Sequence, residues 1–140
     1  MLTANVSIIE IIAAVILNCI IGYAWYSPIL FGNTWAKLAG VKMPGKNATK
    51  EEKTKGMQSM LGMLVASAVT VYVLAHVMSF AQVANPIDAI LTAFWVWLGF
   101  QAVLQLNTVL FEQKPCKLFL INTSYQLVSL VTMALVIYYV

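Results

Sequence analysis

The chain has 140 residues, of which 61% are apolar and only 9% charged, with a net charge of +3 and a mean hydropathy of +0.86. A soluble domain carries about a quarter charged residues and roughly half or fewer apolar ones, so a water-soluble globule is excluded. Since a spanning helix takes about 20 residues and each connection several more, four crossings nearly exhaust the chain.

Four apolar runs fill that allowance: Val6 to Pro28, Met57 to Phe80, Ile87 to Phe111 and Leu118 to Val140. Each is long enough to cross a hydrocarbon slab of about 30 Å as a helix, and none shows the two-residue alternation of a barrel strand. The first run has no basic leader, and Tyr23, Trp25 and Tyr26 stand where a signal peptide would need small residues, so it is expected to stay in the protein. After Pro28, Phe31, Trp35 and Leu38 recur at helical spacing. This predicts a short helix in the headgroup region, with Asn33 as its N-cap and Gly40 as its stop. Thr49 and Glu52 form a capping-box pattern. The second crossing helix should therefore begin near Lys50, and at 1.5 Å per residue it would run about 46 Å, longer than the slab.

All eight positive side chains are lysines: six between runs one and two, at 37, 42, 46, 50, 53 and 55, and two between runs three and four, at 114 and 117. The N-terminus, the Ala81 to Pro86 connection and the C-terminus have none. With four crossings the two lysine loops share a side, and the positive-inside rule makes it the cytoplasm, with both termini outside. An eight-to-zero bias argues against an antiparallel pair of opposite topology. It also accounts for the net charge without nucleic acid as a partner.

Cys19 lies in mid-membrane and Cys116 in a reducing loop, so no disulfide is expected. There is no Cys-x-x-Cys, phosphate loop or nucleophile elbow, and one histidine, His76, cannot alone build a zinc or bis-histidine haem site. No cofactor, metal or enzymatic activity is expected. The glycosylation patterns at Asn5, Asn47 and Asn122 fall against, inside or on the wrong side of the membrane and are discounted.

Polar residues inside the slab carry what functional information there is, because in hydrocarbon they need partners or water. At 100° per residue Gln101, Gln105, Thr108 and Glu112 share an arc of about 60° on the third helix, as do Asn122, Gln126 and Ser129 on the fourth. Antiparallel packing would set Gln105 and Glu112 at about the depth of Gln126 and Asn122. Such a layer is either a set of helix-to-helix bonds or the lining of a hydrated cavity in the cytoplasmic half. Asn107 points elsewhere and suggests an interface between copies. On helix one, Glu10, Ala14, Asn18 and Gly22 form a ridge best read as packing, as do Gly62, Ala66 and Thr70 on helix two. Near the outer surface Glu10 and His76, with Asp88 at a similar level, could pair as a proton site or reach the interface separately.

Two stretches carry a resemblance: Gly22-Tyr-Ala-Trp-Tyr-Ser-Pro-Ile-Leu-Phe-Gly-Asn-Thr-Trp35 and Leu110-Phe-Glu-Gln-Lys-Pro-Cys-Lys-Leu-Phe-Leu-Ile-Asn-Thr-Ser-Tyr125. They resemble the signatures of the domain of unknown function 1761 family, small four-span and mostly bacterial membrane proteins. Thr123-Ser124 departs from the small pair, such as Ala-Gly, usual in that family. The resemblance implies an all-α, four-helix transmembrane bundle occupying residues 1–140 as one domain in a bacterial inner membrane. It transfers no activity.

By the lysine topology both signatures lie at the cytoplasmic face, where Trp25, Tyr26, Trp35, Glu112, Asn122 and Tyr125 would converge. With Gln101, Gln105 and Gln126 they make a candidate site for a cation or small polar solute. The expected function is transport or permeation by associated copies of the chain; the alternative is a non-transporting module binding lipid or a partner protein. A membrane-impermeant thiol reagent should label an Asn47→Cys variant only after permeabilisation. Labelling in intact cells would overturn the topology.

Overall fold

The structure, a computed structural model, describes residues 3–42 and 45–140. It is all-helical, with four helices long and apolar enough to cross a membrane and one short helix. Helix α1 spans Ile8–Trp25, α2 Gly32–Ala39 and α3 Lys50–Phe80. The third crossing is α4, Pro86–Trp97, continued through a π turn at Leu98–Ala102 into α5, Val103–Leu110; α6 is Cys116–Tyr139.

The helix ends follow from local chemistry. Ser7 caps α1 and Thr49 caps α3, each in a capping box whose glutamate, Glu10 or Glu52, reaches back to the cap amide. Helix α3 therefore begins at Lys50, where the Thr49 pattern places it. Asn85 caps α4, accepting from the Asp88 amide at 2.9 Å, and Pro86 opens the first turn, where its missing N–H costs nothing. Gly40 closes α2 in the left-handed region at φ +69°, as expected. The start of α2 differs from expectation. Phe31, not Asn33, is the cap residue, and it makes no side-chain cap bond. Backbone bonds hold this corner instead: the Gly32 amide donates to the Ser27 carbonyl at 2.9 Å and the Phe31 amide to the Trp25 carbonyl at 3.1 Å.

Helix α6 is the hub, packing on α1, α2, α3, α4 and α5, and it carries more buried residues than any other helix. The apolar core gathers at the end away from the lysines. Ala14 of α1, Val71, Leu74 and Met78 of α3, Ala89 and Ala93 of α4, and Leu130, Met133, Ala134 and Val136 of α6 form one cluster. Alanines at 14, 89, 93 and 134 let the backbones approach closely, which is how helices gain packing energy where lipid competes equally for apolar contact. The outward faces remain apolar, with Ile12, Ile16, Val69, Val73, Leu91 and Trp95 all exposed. Helix α5 contributes no buried residue. The π turn marks where the third crossing leaves the core.

Gly32 is the tightest backbone approach. A Cβ there would collide with the Tyr26 carbonyl oxygen and the Ser27 backbone. Gly32→Ala should therefore cost about 1–3 kcal/mol by overpacking, seen as a clear drop in melting temperature in detergent, whereas Gly62→Ala, open on all sides, should not.

Candidate functional site

The most connected polar group inside the bundle is Asn18, 5% exposed at the middle of α1. Its Nδ2 donates to Ser67 Oγ of α3 at 2.8 Å. Its Oδ1 accepts from Ser129 Oγ at 2.5 Å and from the Tyr125 hydroxyl at 3.0 Å, both on α6. One carboxamide thus joins three helices. Ser67 and Ser129 are buried as well, so the two serine bonds are made out of reach of bulk water and leaving one unmade would be costly.

One turn toward the lysine end, Gly22 clears room for the Tyr125 ring: a Cβ at 22 would meet its hydroxyl at 3.0 Å. Beyond it lies an aromatic joint. The Trp25 indole N–H donates to the Ile121 carbonyl at 3.1 Å, and the Tyr26 hydroxyl donates to Asn122 Oδ1 at 2.9 Å. The Tyr26 ring meets Tyr125 edge-on at 5.2 Å and Trp35 of α2 at 5.3 Å, while Trp25 packs on Phe31 at 5.1 Å. From the far side of α6, the Trp97 indole donates to the Thr123 carbonyl at 2.7 Å. The structure thus brings together Trp25, Tyr26, Trp35, Asn122 and Tyr125 of the residues singled out above.

The glutamines behave differently. Gln101, within the π turn, and Gln126 each have a buried side-chain carbonyl oxygen with no hydrogen-bond partner. Gln105 is half-buried and does not share a depth with Gln126. The Trp97 to Thr123 bond sets the register of the antiparallel pair. From it, Gln105 lies eight residues, about 12 Å, toward the lysine end, whereas Gln126 lies three residues the other way. Glu112 lies beyond the last helical residue, Leu110, and is exposed, so the stripe stops at Thr108.

Glu10 and His76 are engaged separately. The Glu10 carboxylate accepts from the Ser7 amide at 3.3 Å, and His76 Nδ1 lies 2.8 Å from the carbonyl of Tyr72 on its own helix. Asp88 accepts from the Asn85 side chain at 2.7 Å. Glu10 lines a recess of about 550 Å³ at the end away from the lysines, together with Asn5, Ser79, Gln82 and Tyr138. Cys19 and Cys116 are both free. Among the described residues no group of three or more His, Cys, Asp or Glu side chains is placed to hold a metal ion.

The sequence places Asn18 in a packing ridge and does not by itself give it a bonding role. The available signal was that it is the one amide in the 18 residues of α1, placed where neither end of the helix offers water. Trp97 carried no signal beyond its size.

Four crossing helices, interior polar bonds between them and a lysine-bearing face define a multi-pass helical membrane protein. The chain matches, over residues 9–138, the family described as Protein of unknown function (DUF1761), and it belongs to that family. Among curated proteins and solved structures, none matches the chain.

Replacing Asn18 by Leu removes three interhelical bonds at once. At about 0.6 kcal/mol each for bonds of this kind in membranes, the loss should be about 2 kcal/mol. The check is thermal or denaturant unfolding in detergent, with Thr70→Val as control, since the Thr70 hydroxyl bonds only to the Ala66 carbonyl of its own helix.

Proposed function

We propose that the chain is a non-catalytic membrane module that binds a lipid or a partner protein through its lysine-bearing face. The observation carrying this reading is the use made of interior polar groups. The Asn18 carboxamide is taken up at both ends by Ser67, Ser129 and Tyr125, and the Asn122 carbonyl by Tyr26. Groups committed to one another lock helices in place and are not available to replace the hydration of a passing solute. No catalytic step is assigned, because Glu10 serves its own helix cap and His76 faces its own helix carbonyl.

A second reading, permeation of a small solute or ion through several associated copies, is favoured by the glutamines. The buried, unbonded carbonyls of Gln101 and Gln126 would gain partners from water or from a second copy, and Asn107 presents an exposed amide on α5. In both readings the protein resides in a bacterial inner membrane with its termini outside.

Reconstitution into liposomes separates the two. The module reading expects potassium, chloride and glycerol fluxes no greater than in protein-free vesicles. A protein-dependent flux that falls at least tenfold in Gln101→Leu and Gln126→Leu, with both variants folded, would replace it by the second reading.

A further inference from the structure

A cleft of about 410 Å³ lies between α2 and the first turn of α6, lined by Asn33, Thr34, Lys37, Leu38 and Lys117. We propose that it is a binding site for the phosphate headgroup of an anionic phospholipid in the leaflet on the lysine side. The proposal rests on the module reading and names the occupant of that face.

Four features converge on this chemistry. Two lysines 80 positions apart in sequence reach one cleft from two different helices, and no carboxylate lines it. The amide of Asn33 and the hydroxyl of Thr34 add donors of the kind that bind phosphate oxygens, and Leu38 supplies an apolar wall beside them. The depth is right: α1 ends at Trp25 and α6 begins at Cys116, so the cleft opens where the chain crosses from hydrocarbon to headgroups. Ile29, Leu30 and Phe31, just before α2, are exposed and apolar, as expected of a segment at the boundary with acyl chains. Basic pockets between helices at this level suit anionic headgroups, and the anionic leaflet supplies the ligand at high local concentration.

The cleft is also held in shape. Trp35, two residues before Lys37, packs edge-on against Tyr26 at 5.3 Å. The Tyr26 hydroxyl is fixed to Asn122 of α6 at 2.9 Å, and Gly32 is wedged against the backbone of residues 26 and 27. Helix α2 therefore cannot drift from α6 without breaking this joint. The helices that carry the two lysines are thus held side by side before a headgroup arrives, whereas lysines on a mobile loop would first have to be brought together.

Another lysine-bearing cleft supplies the control. It lies between Val41, Lys42 and residues 45–48 on one side and the start of α3 on the other, and Lys42, Lys46 and Lys55 share it with Glu52. A Lys42→Gln/Lys46→Gln double variant removes the same charge from the same face as a Lys37→Gln/Lys117→Gln double variant. Local recognition and general surface attraction then predict different results.

The full chain in neutral detergent is titrated with phosphatidylglycerol and with phosphatidylcholine, and bound lipid is counted by native mass spectrometry. The parent should prefer phosphatidylglycerol. Lys37→Gln/Lys117→Gln should lose about thirtyfold of that preference, from about a factor of five per lysine. Lys37→Arg/Lys117→Arg should retain it, and Lys42→Gln/Lys46→Gln should leave it within twofold of the parent. Circular dichroism confirms that each variant is folded, and if the Gln pair unfolds, the single variants Lys37→Gln and Lys117→Gln should each lose about fivefold. Equal binding of the two lipids by the parent, or equal loss from both double Gln variants, overturns the site. Displacement of the lipid by millimolar inorganic phosphate would assign the cleft to a soluble phosphate and overturn the lipid assignment. Flux in liposomes with the lipid preference intact would overturn the module reading and leave the headgroup site standing.

Discussion

In hydrocarbon a polar group must find its partner inside the protein, and Asn18 is where this chain meets that requirement most fully. Apolar ridges alone position helices loosely, because lipid is as good a neighbour for leucine as another leucine is. A carboxamide differs. With Ser67 on one end and Ser129 and Tyr125 on the other, α1, α3 and α6 have one mutual register that satisfies every bond, and sliding or rotating any of them leaves a buried donor or acceptor open. Ala14 and Ala134 of the core, and the Trp25 bond to the Ile121 carbonyl, lie on helices whose relative height this node sets.

From that node the bundle divides into unlike halves. Away from the lysines, Ala89 and Ala93 of α4 join Leu130, Met133, Ala134 and Val136 of α6 in the apolar core. Toward the lysines, the last bond tying the third crossing to α6 is the Trp97 indole to the Thr123 carbonyl, and the π turn begins at the next residue. A π turn adds a residue to the helix repeat and turns the face that follows. After it α5 buries nothing, and Gln101 within it keeps an unbonded carbonyl. Few buried contacts and open polar groups are the marks of low local stability. The α5 segment is accordingly the part of the bundle freest to repack against lipid or a second copy.

What the sequence made legible was local. The Thr49 and Glu52 pattern, the stop at Gly40 and the four apolar runs depend on residues within a turn or on mean composition, and they appear where expected. The stripe from Gln101 to Glu112 presumes a constant 100° per residue. The chain interrupts that period with the π turn and ends the helix at Leu110, neither of which a uniform projection contains. Glu10 and His76 were candidates for a long-range pair, but Ser7 and Tyr72 offer each a partner three or four residues away with no chain to order. Asn18 was visible as a residue and invisible as a node, because its three partners come from two helices whose meeting only the folded bundle defines.

The two stretches that carry the family likeness turn out to be the two sides of one joint. Gly22 faces Tyr125, Trp25 bonds to the Ile121 carbonyl and Tyr26 to Asn122, and through Tyr26 the same joint holds Trp35 and with it α2. Folding of the joint and shape of the Lys37 and Lys117 cleft are therefore one equilibrium. A headgroup that binds only when α2 is docked stabilises the docked state by RT ln(1 + [L]/Kd), and a joint that is well formed raises the fraction of chains competent to bind. In a membrane rich in anionic lipid the term in [L] is large, so on the proposed site the bilayer itself would act as a structural ligand for the α2 corner. On the proposed headgroup site the motif aromatics would matter for binding without touching the ligand, since through Tyr26 they hold α2, which carries Lys37, against α6, which carries Lys117.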